Sequence, residues 1–513
     1  MQSITQRVFQ DSSKWALVLF LLIAGRAQAG PAPHWIQAVS FGGSGTDAGA
    51  AVRVTKHGDR YVTGFFSSNA RFGGKTLTSA GGTDIFLAKY ARRGELLWLI
   101  QAGGSGEDAA NDLALDRVGN VYVTGRFVGT ASFGSAGGES KTVTGSDETV
   151  FIAKYSPAGT LLWLHTGTVT FVSINRGHGV AVDPATGTVY ITGISQGDTT
   201  FSSSDGTTHT VPGPGFWHMF LVKYDQRGNF HWGEWNEASP NSLPRSVAVD
   251  SENNAYVVGW FEGTVTFHSR DGQDQTISGR SEPVQSAPDY PGDAFIAKYD
   301  SDGNVQWVND IGGYKAIATH VATTRHGSIS LTGFIGNIDS GTTAQAETII
   351  TSQPGGANIN LGEGHFTTPY NRDVFIATYN RAGVLISATR LGGVRQDGGS
   401  GIAYDRAGNL YVAGVFGGTL HIGGQVLTSG KTSNLFVLKY AAGRLEWAKA
   451  AKGAGSQGFE SNPTISLTQD GKVWVTGPFA GTATFEGTTL QSAGAEDIFV
   501  AELKRKALSR TRR

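Results

Sequence analysis

The chain has 513 residues, 73 of them glycine, with no cysteine, two methionines and 39% hydrophobic residues. That composition excludes a disordered chain, and the missing thiols exclude disulfide staples, Cys-ligated zinc, iron–sulfur clusters and thiol catalysis. The net charge of −1 hides an asymmetry: without residues 1–29 and the tail from Lys504, 32 Lys and Arg face 41 Asp and Glu, an acidic body that repels nucleic-acid phosphates.

The chain opens on an export signal. Lys14 precedes an apolar run from Trp15 to Gly25, and Ala27-Gln28-Ala29 supplies the small residues that a signal peptidase requires. Residues 1–29 are thus expected to be removed after Ala29, leaving a protein that is secreted, periplasmic or at the cell surface. No later segment approaches the roughly 18 consecutive apolar residues of a spanning helix, so no membrane insertion is expected once the signal is gone. Residues 504–513, KRKALSRTRR, read as a solvated basic tail.

Between these ends two segments recur. YVTGFF from Tyr61 returns as YVTGRF from Tyr122, YITGIS from Tyr190, YVVGWF from Tyr256, SLTGFI from Ser330, YVAGVF from Tyr411 and WVTGPF from Trp474. DIFLAKY from Asp84 follows the first copy, and its aromatic recurs at Phe151, Phe220, Phe295, Phe375, Phe436 and Phe499. Each repeat offers four short apolar runs, such as DLALD from Asp112, then NVYVTGRF, VFIAKY and LLWLHT. Their lack of clean alternation fits strands covered on both faces. Turns such as Asp116-Arg117-Val118-Gly119-Asn120 place Gly where a short hairpin needs positive φ.

The fourth run carries Trp98, Trp163, Trp232, Trp307 and Trp447, with Ser387 in the fifth copy. The last repeat stops after DIFVAEL, and His34-Trp35-Ile36-Gln37 followed by Gly42-Gly43 matches the run it lacks. The expected fold is all-β: a single seven-bladed β-propeller of four-stranded blades over residues 30–503. An N-terminal strand completing the C-terminal blade would close the ring and remove exposed sheet edges.

The alternating YVTGxF and DxF[ILV]AKY segments, with GGSGxD before the first strand, resemble the bacterial seven-bladed β-propeller (SBBP) repeat family over residues 34–503. The resemblance implies an exported propeller and carries over no catalytic motif. There is no GH…WD signature of WD40 repeats.

In a four-stranded blade the second-to-third and fourth-to-first connections share one face. Here they are the long, variable ones, so a ligand is expected on that face. Trp217, Trp235 and Trp260 fall outside the repeat positions and map to it, with Glu234, Glu237, Arg245, His218 and His231 as polar neighbours. Exposed rings of this kind hold sugars; rings packed beneath the long loops do not.

The recurring Asp84, Asp293, Asp373 and Asp497 read as structural, because catalysis needs one asymmetric constellation. GGSGTD and GGSGED precede no helix pattern, which argues against a phosphate loop, and Asp47 and Asp108 are expected to bind loop amides. Asp300-Ser301-Asp302-Gly303-Asn304 lacks the downstream Glu of a calcium loop. His178, His209, His320, His365 and His421 show no metal-ligand spacing. No cofactor, metal ligand or catalytic residue is therefore expected. The first expectation is a monomeric, non-enzymatic binding or scaffold protein with a protein or polysaccharide ligand. The alternative is a polysaccharide-active enzyme, glycosidase or lyase, with carboxylates on the loops of repeats three to five.

Overall fold

The computed structural model describes residues 33–504, apart from 170–173, 280–291, 313–314, 337–346, 353–357, 364–371, 394, 431, 455–462 and 469. The expected signal peptide, the tail beyond Lys504, His365 and most of the expanded loop between Gly336 and Arg372 lie outside the described residues.

Among the described residues the strands fall into seven four-stranded antiparallel units, each a meander of the four expected runs. The first unit is Ala48–Val54, Arg60–Phe72, Lys75–Tyr90 and Leu96–Gly104. The seventh takes Thr464–Leu467, Val473–Phe479 and Asp497–Lys504 from the end of the chain and His34–Gly43 from its beginning. The inner strands are Ala48–Val54, Ala109–Leu115, Asn175–Val182, Ser242–Val249, Ala316–Thr323, Asp397–Tyr404 and Thr464–Leu467. Each packs on the inner strand of the next unit, and the last packs on the first.

The second-to-third connection forms the accessory hairpin that the Gly-rich patterns suggest, such as Thr199–Ser202 with Thr208–Val211. Each hairpin meets the end of the preceding unit's fourth strand, as in Gly104↔Ala131, Phe201↔Gly167 and Asn236↔Phe267. Gly42↔Arg71 and Gly43↔Ala70 make the same link from the seventh unit to the first.

The glycine inside six of the seven YVTG-like segments has one steric cause. A Cβ on Gly64, Gly125, Gly193, Gly259, Gly333 or Gly414 would collide with a carbonyl oxygen of the neighbouring inner strand: that of Ala48, Ala109, Arg176, Leu243, Ile317 or Gly398. The inner strand comes this close because it bulges there. The register skips one residue between Gly49 and Ala51, and likewise in the inner strands of units two to six. A bulge re-aims the side chain it leaves unpaired.

The recurring Lys and Trp knot neighbouring units together. Lys89 Nζ and Trp98 Nε1 both donate to the carbonyl of Pro157, in the third-to-fourth turn of the next unit, at 3.0 and 3.1 Å. Lys154 and Trp163 share Gln226 O, Lys223 and Trp232 share Ser301 O, and Lys298 and Trp307 share Arg381 O. Lys89 also lies 5.1 Å from the Tyr61 ring, against which Trp98 packs edge-on at 5.7 Å. Hydrogen bonds from a charged donor contribute about 1.5–3 kcal/mol each, so one carbonyl anchors both an ammonium and an indole.

The N-terminal strand enters the seventh unit two residues out of step with the match read from the sequence. Gln37 stands opposite Glu502, the place that Trp98 holds opposite Lys89. Trp35 instead packs edge-on against Phe485 at 5.1 Å and donates to Ala450 O at 3.1 Å. The shift between Trp35 and Gln37 is the bulge that the other fourth strands also make, as between Leu96 and Trp98; the offset arises because Trp35 lies farther before Gly42 than Trp98 lies before Gly103.

Candidate functional site

The residues skipped in the six registers are Ala50, Asn111, His178, Arg245, Thr319 and Ser400, and all six line one cavity of about 90 Å³. The YVTG glycine admits the bulge, the bulge aims the side chain inward, and seven inner strands bring those side chains together. Several donate to the carbonyl just before the corresponding residue of the next inner strand. Asn111 Nδ2 reaches Gly177 O at 2.8 Å, His178 Nδ1 meets Pro244 O at 2.9 Å, Thr319 Oγ1 reaches Gly399 O at 2.8 Å, and Ser400 Oγ reaches Pro463 O at 2.6 Å. These bonds fix the wall and satisfy buried polar groups that would otherwise each cost about 1–3 kcal/mol.

Three guanidinium groups face the same space: Arg126 from the end of a second strand, and Arg176 and Arg245 from inner strands. Glu148 binds two of them. Arg176 holds it through Nε and Nη2, the latter at 2.7 Å from Oε1, and Arg126 Nε lies 3.5 Å from Oε1. No Asp or Glu is among the residues lining the cavity, and Glu148 stands beside Arg126 and Arg176. Burial, reinforced by Arg245 and Arg176, holds His178 well below the usual histidine range. Burial pushes His320, on the same wall, down to about 4. Both imidazoles are therefore neutral at pH 7, and the charge of the cavity is set by arginine.

The side chains singled out from the sequence divide. Arg245 lines the cavity. Trp260 is 2% exposed and packs with Ile194, Leu243, Ile317 and Phe334, and Trp217 covers the edge of that cluster. Ile317 and Phe334 also line the cavity, so these two indoles back its wall. Trp235 sits apart from them, its ring 4.0 Å from that of His268, with the buried His218 edge-on. Burial raises the pKa of Glu234 to about 8, with Arg270 opposing and Asp274 adding to the rise. Glu237 is exposed; three residues apart on one strand, the two carboxylates project to opposite faces. The structure thus brings together Trp217, Trp260 and Arg245, but not all three tryptophans.

The acidic motifs are spent on backbone. Asp47 accepts from the Gly43 and Ser67 amides at 2.7 and 3.0 Å, and Asp108 from Gly104 and Val128 at 2.6 and 2.9 Å. Asp300 Oδ1 takes the amides of Asp302 and Asn304 within its hairpin. Among the described residues no group of three or more His, Asp or Glu is placed to hold a metal ion.

Arg126 and Arg176 escaped sequence reasoning, and His178 and His320 entered it only as histidines without metal-ligand spacing. A signal was present: Ala50, Asn111, Arg245, Thr319 and Ser400 each lie 14 residues before a YVTG-type glycine. They differ from repeat to repeat while that glycine recurs, as side chains facing a shared central space would.

All-β four-stranded repeats with their inner strands gathered on one cavity define the class: a protein of β-propeller type. Residues 97–126, from a fourth strand through the next inner strand to Arg126, match the family described as SBBP: Beta-propeller repeat. Residues 97–126 thus carry one SBBP beta-propeller repeat, and the recurring segments extend its pattern along the chain. The chain is also 27% identical over 241 residues to "Uncharacterized WD repeat-containing protein L264" of Acanthamoeba polyphaga mimivirus, a match covering 42% of this chain and 16% of that protein. Among solved structures, "Streptogramin B lyase structure" aligns over 91% of this chain and 98% of that one at 10% identity, with a TM-score of 0.35. The quinohemoprotein alcohol dehydrogenase of Comamonas testosteroni aligns over 93% and 78% at 13% identity, with a TM-score of 0.36. Likeness of that degree assigns no activity.

Proposed function

We propose that the seven units close into one seven-bladed ring and that the protein is an exported, non-enzymatic binding or scaffold module whose partner places an anionic group in the inner cavity. Pairing of His34–Gly43 with Asp497–Lys504 supports closure, as does the link from Gly42 and Gly43 to the first unit. The observation that carries the binding reading is the convergence of Arg126, Arg176 and Arg245 on a cavity whose lining holds no carboxylate. Guanidinium forks match carboxylate, sulfate and phosphate oxygens. At about 90 Å³ the space suits one such group rather than a whole sugar ring. The partner is a protein or polysaccharide bearing that group, docked on the face of the accessory hairpins.

The test is calorimetric titration of the mature protein with acidic and neutral oligosaccharides and with inorganic sulfate and phosphate, beside an array of glycans and secreted proteins. Saturable binding of anionic ligands alone, weakened in Arg245→Ala, is expected. Equal binding of neutral and acidic glycans, or cleavage of a glycan seen by mass spectrometry, would displace this reading in favour of the polysaccharide-active enzyme.

A further inference from the structure

The junction between the seventh and the first unit differs from the others in four residues at once. Gln37 stands where Trp98 stands in the first unit, Glu502 where Lys89 stands, and Trp474 where Tyr61 stands. Arg60 occupies a buried site that is apolar in the other repeats, at Val121, Val189, Ala255, Ile329, Leu410 and Val473. At three other junctions the turn glycine of one unit lies against the indole of the previous one: a Cβ on Gly159, Gly228 or Gly303 would come 3.1 Å from Trp98, Trp163 or Trp232. At the corresponding Gly94 the only neighbour within that range is Arg60 Nη2, at 3.6 Å. Where five of the other junctions hold an indole and the fifth unit has Ser387, this one has a cavity of about 630 Å³, lined in part by Gln37, Arg60, Tyr90, Gly94 and Trp474.

The wall of this cavity is rich in donors. Arg60 is 4% exposed, its guanidinium 4.1 Å from the Trp474 ring, and its buried Nε and Nη1 have no hydrogen-bond partner. Trp474 Nε1 and the Tyr90 hydroxyl are buried and unpartnered as well. Burying such groups without acceptors is costly. Arg71 and Arg93 add positive charge to the lining against Glu95.

We propose that this junction is a second ligand site, taking an aromatic carboxylate: the ring fills the space that an indole fills at five other junctions, and the carboxylate accepts from Arg60, Trp474 and Tyr90. The aromatic faces of Tyr90 and Trp474 supply stacking, and the guanidinium fork supplies the two-point hold that a carboxylate matches. The volume falls within the usual range for small-molecule sites, about 300–1,000 Å³.

The probe is 3-indolepropionate, titrated by calorimetry into the mature protein beside uncharged indole and ring-free propionate. Saturable binding of 3-indolepropionate at least about tenfold tighter than either control is expected, from the charged bidentate contact. Arg60→Leu installs the kind of residue the other repeats carry, so it folds, and it is expected to lose at least that factor. Gln37→Trp returns an indole to the space and is expected to abolish binding while the melting temperature holds or rises. Absence of saturable binding, indole binding as tightly as its acid, or Gln37→Trp retaining full affinity would each overturn the proposal. A free acid and the C-terminal aromatic residue of a peptide share this chemistry, and a Gly-Gly-Trp peptide against its amide separates the two sources.

Discussion

Gln37 faces Glu502 across the two strands contributed by opposite ends of the chain, and its side-chain amide donates to Glu502 Oε2 at 2.9 Å. The Lys and Trp knot that ties other units together is therefore missing where the termini meet, and strand pairing carries this junction. Removing residues 30–43 would expose the edge of Asp497–Lys504 and break the link through Gly42 and Gly43. The expected result is a fall in melting temperature of more than about 10 °C with aggregation on heating, read by calorimetry and light scattering. An unchanged transition would contradict the proposed closure.

Trp98→Ala should remove both the edge contact with Tyr61 and the hydrogen bond to Pro157 O. A loss of about 3–5 kcal/mol in denaturant unfolding is expected, as for other buried tryptophans. Trp98→Phe keeps ring volume and loses the donor, so it should cost clearly less. Equal effects of the two changes would show that packing contributes nothing beyond the hydrogen bond.

Gly193→Ala drives a Cβ onto the Arg176 carbonyl oxygen and close to the Phe220 ring. The bulge that aims His178 inward must then shift. Destabilisation of several kcal/mol is expected, together with weaker anion binding in whatever fraction remains folded. Wild-type stability and binding in this variant would sever the link drawn between glycine, bulge and cavity.

Anion affinity in the inner cavity should fall about tenfold or more in Arg245→Ala and should weaken as salt rises, because the attraction is electrostatic. Arg176→Ala is expected to do at least as much, since it also frees Glu148 from its two-point contact to pair with Arg126 and compete with the anion there. A salt-independent affinity, measured by titration at low and high ionic strength, would exclude the charge-based reading.

Burial, with Asp373 nearby, raises Asp397 to about 8, while the Gly417 amide and Arg372 oppose the rise. Its folded pKa lies above the unfolded value, near 4. The folded state therefore holds the extra proton between those limits, and the stabilisation is complete below pH 4 and lost as pH rises through 8. Asp397→Asn removes that dependence. Its melting temperature relative to wild type should improve from pH 6 to pH 8.5, and a constant difference would contradict it.

Much of the fold was legible because it is local and repeated. The YVTG and DIFLAKY segments, the turn glycines and the tryptophans state the strand count and order of each unit, and the pairing of the two termini follows from the run missing after DIFVAEL. Asp47 and Asp108 bind loop amides as their loops suggested. The closing strand's tryptophan does not take the place its motif suggests: Gly42 and Gly43 do fall where Gly103 and Gly104 fall, but Trp35 lies two residues too far before them to take the place of Trp98, which leaves an amide, Gln37, at the junction.

The sequence by itself determined the repeated unit, because the second and third strands of each unit are buried on both faces and each inner-strand bulge demands a glycine partner. Only the tertiary structure decided which residues share a space. Arg126, Arg176, His178, Arg245 and His320 come from four different repeats and meet because seven inner strands pack side by side. Gln37, Arg60, Trp474 and Glu502 meet because the chain's ends pair. Spacing along the chain fixes neither meeting: a bulge turns a side chain from one surface to another, and a two-residue slip changes which residue stands at a given place, without changing the pattern of apolar runs.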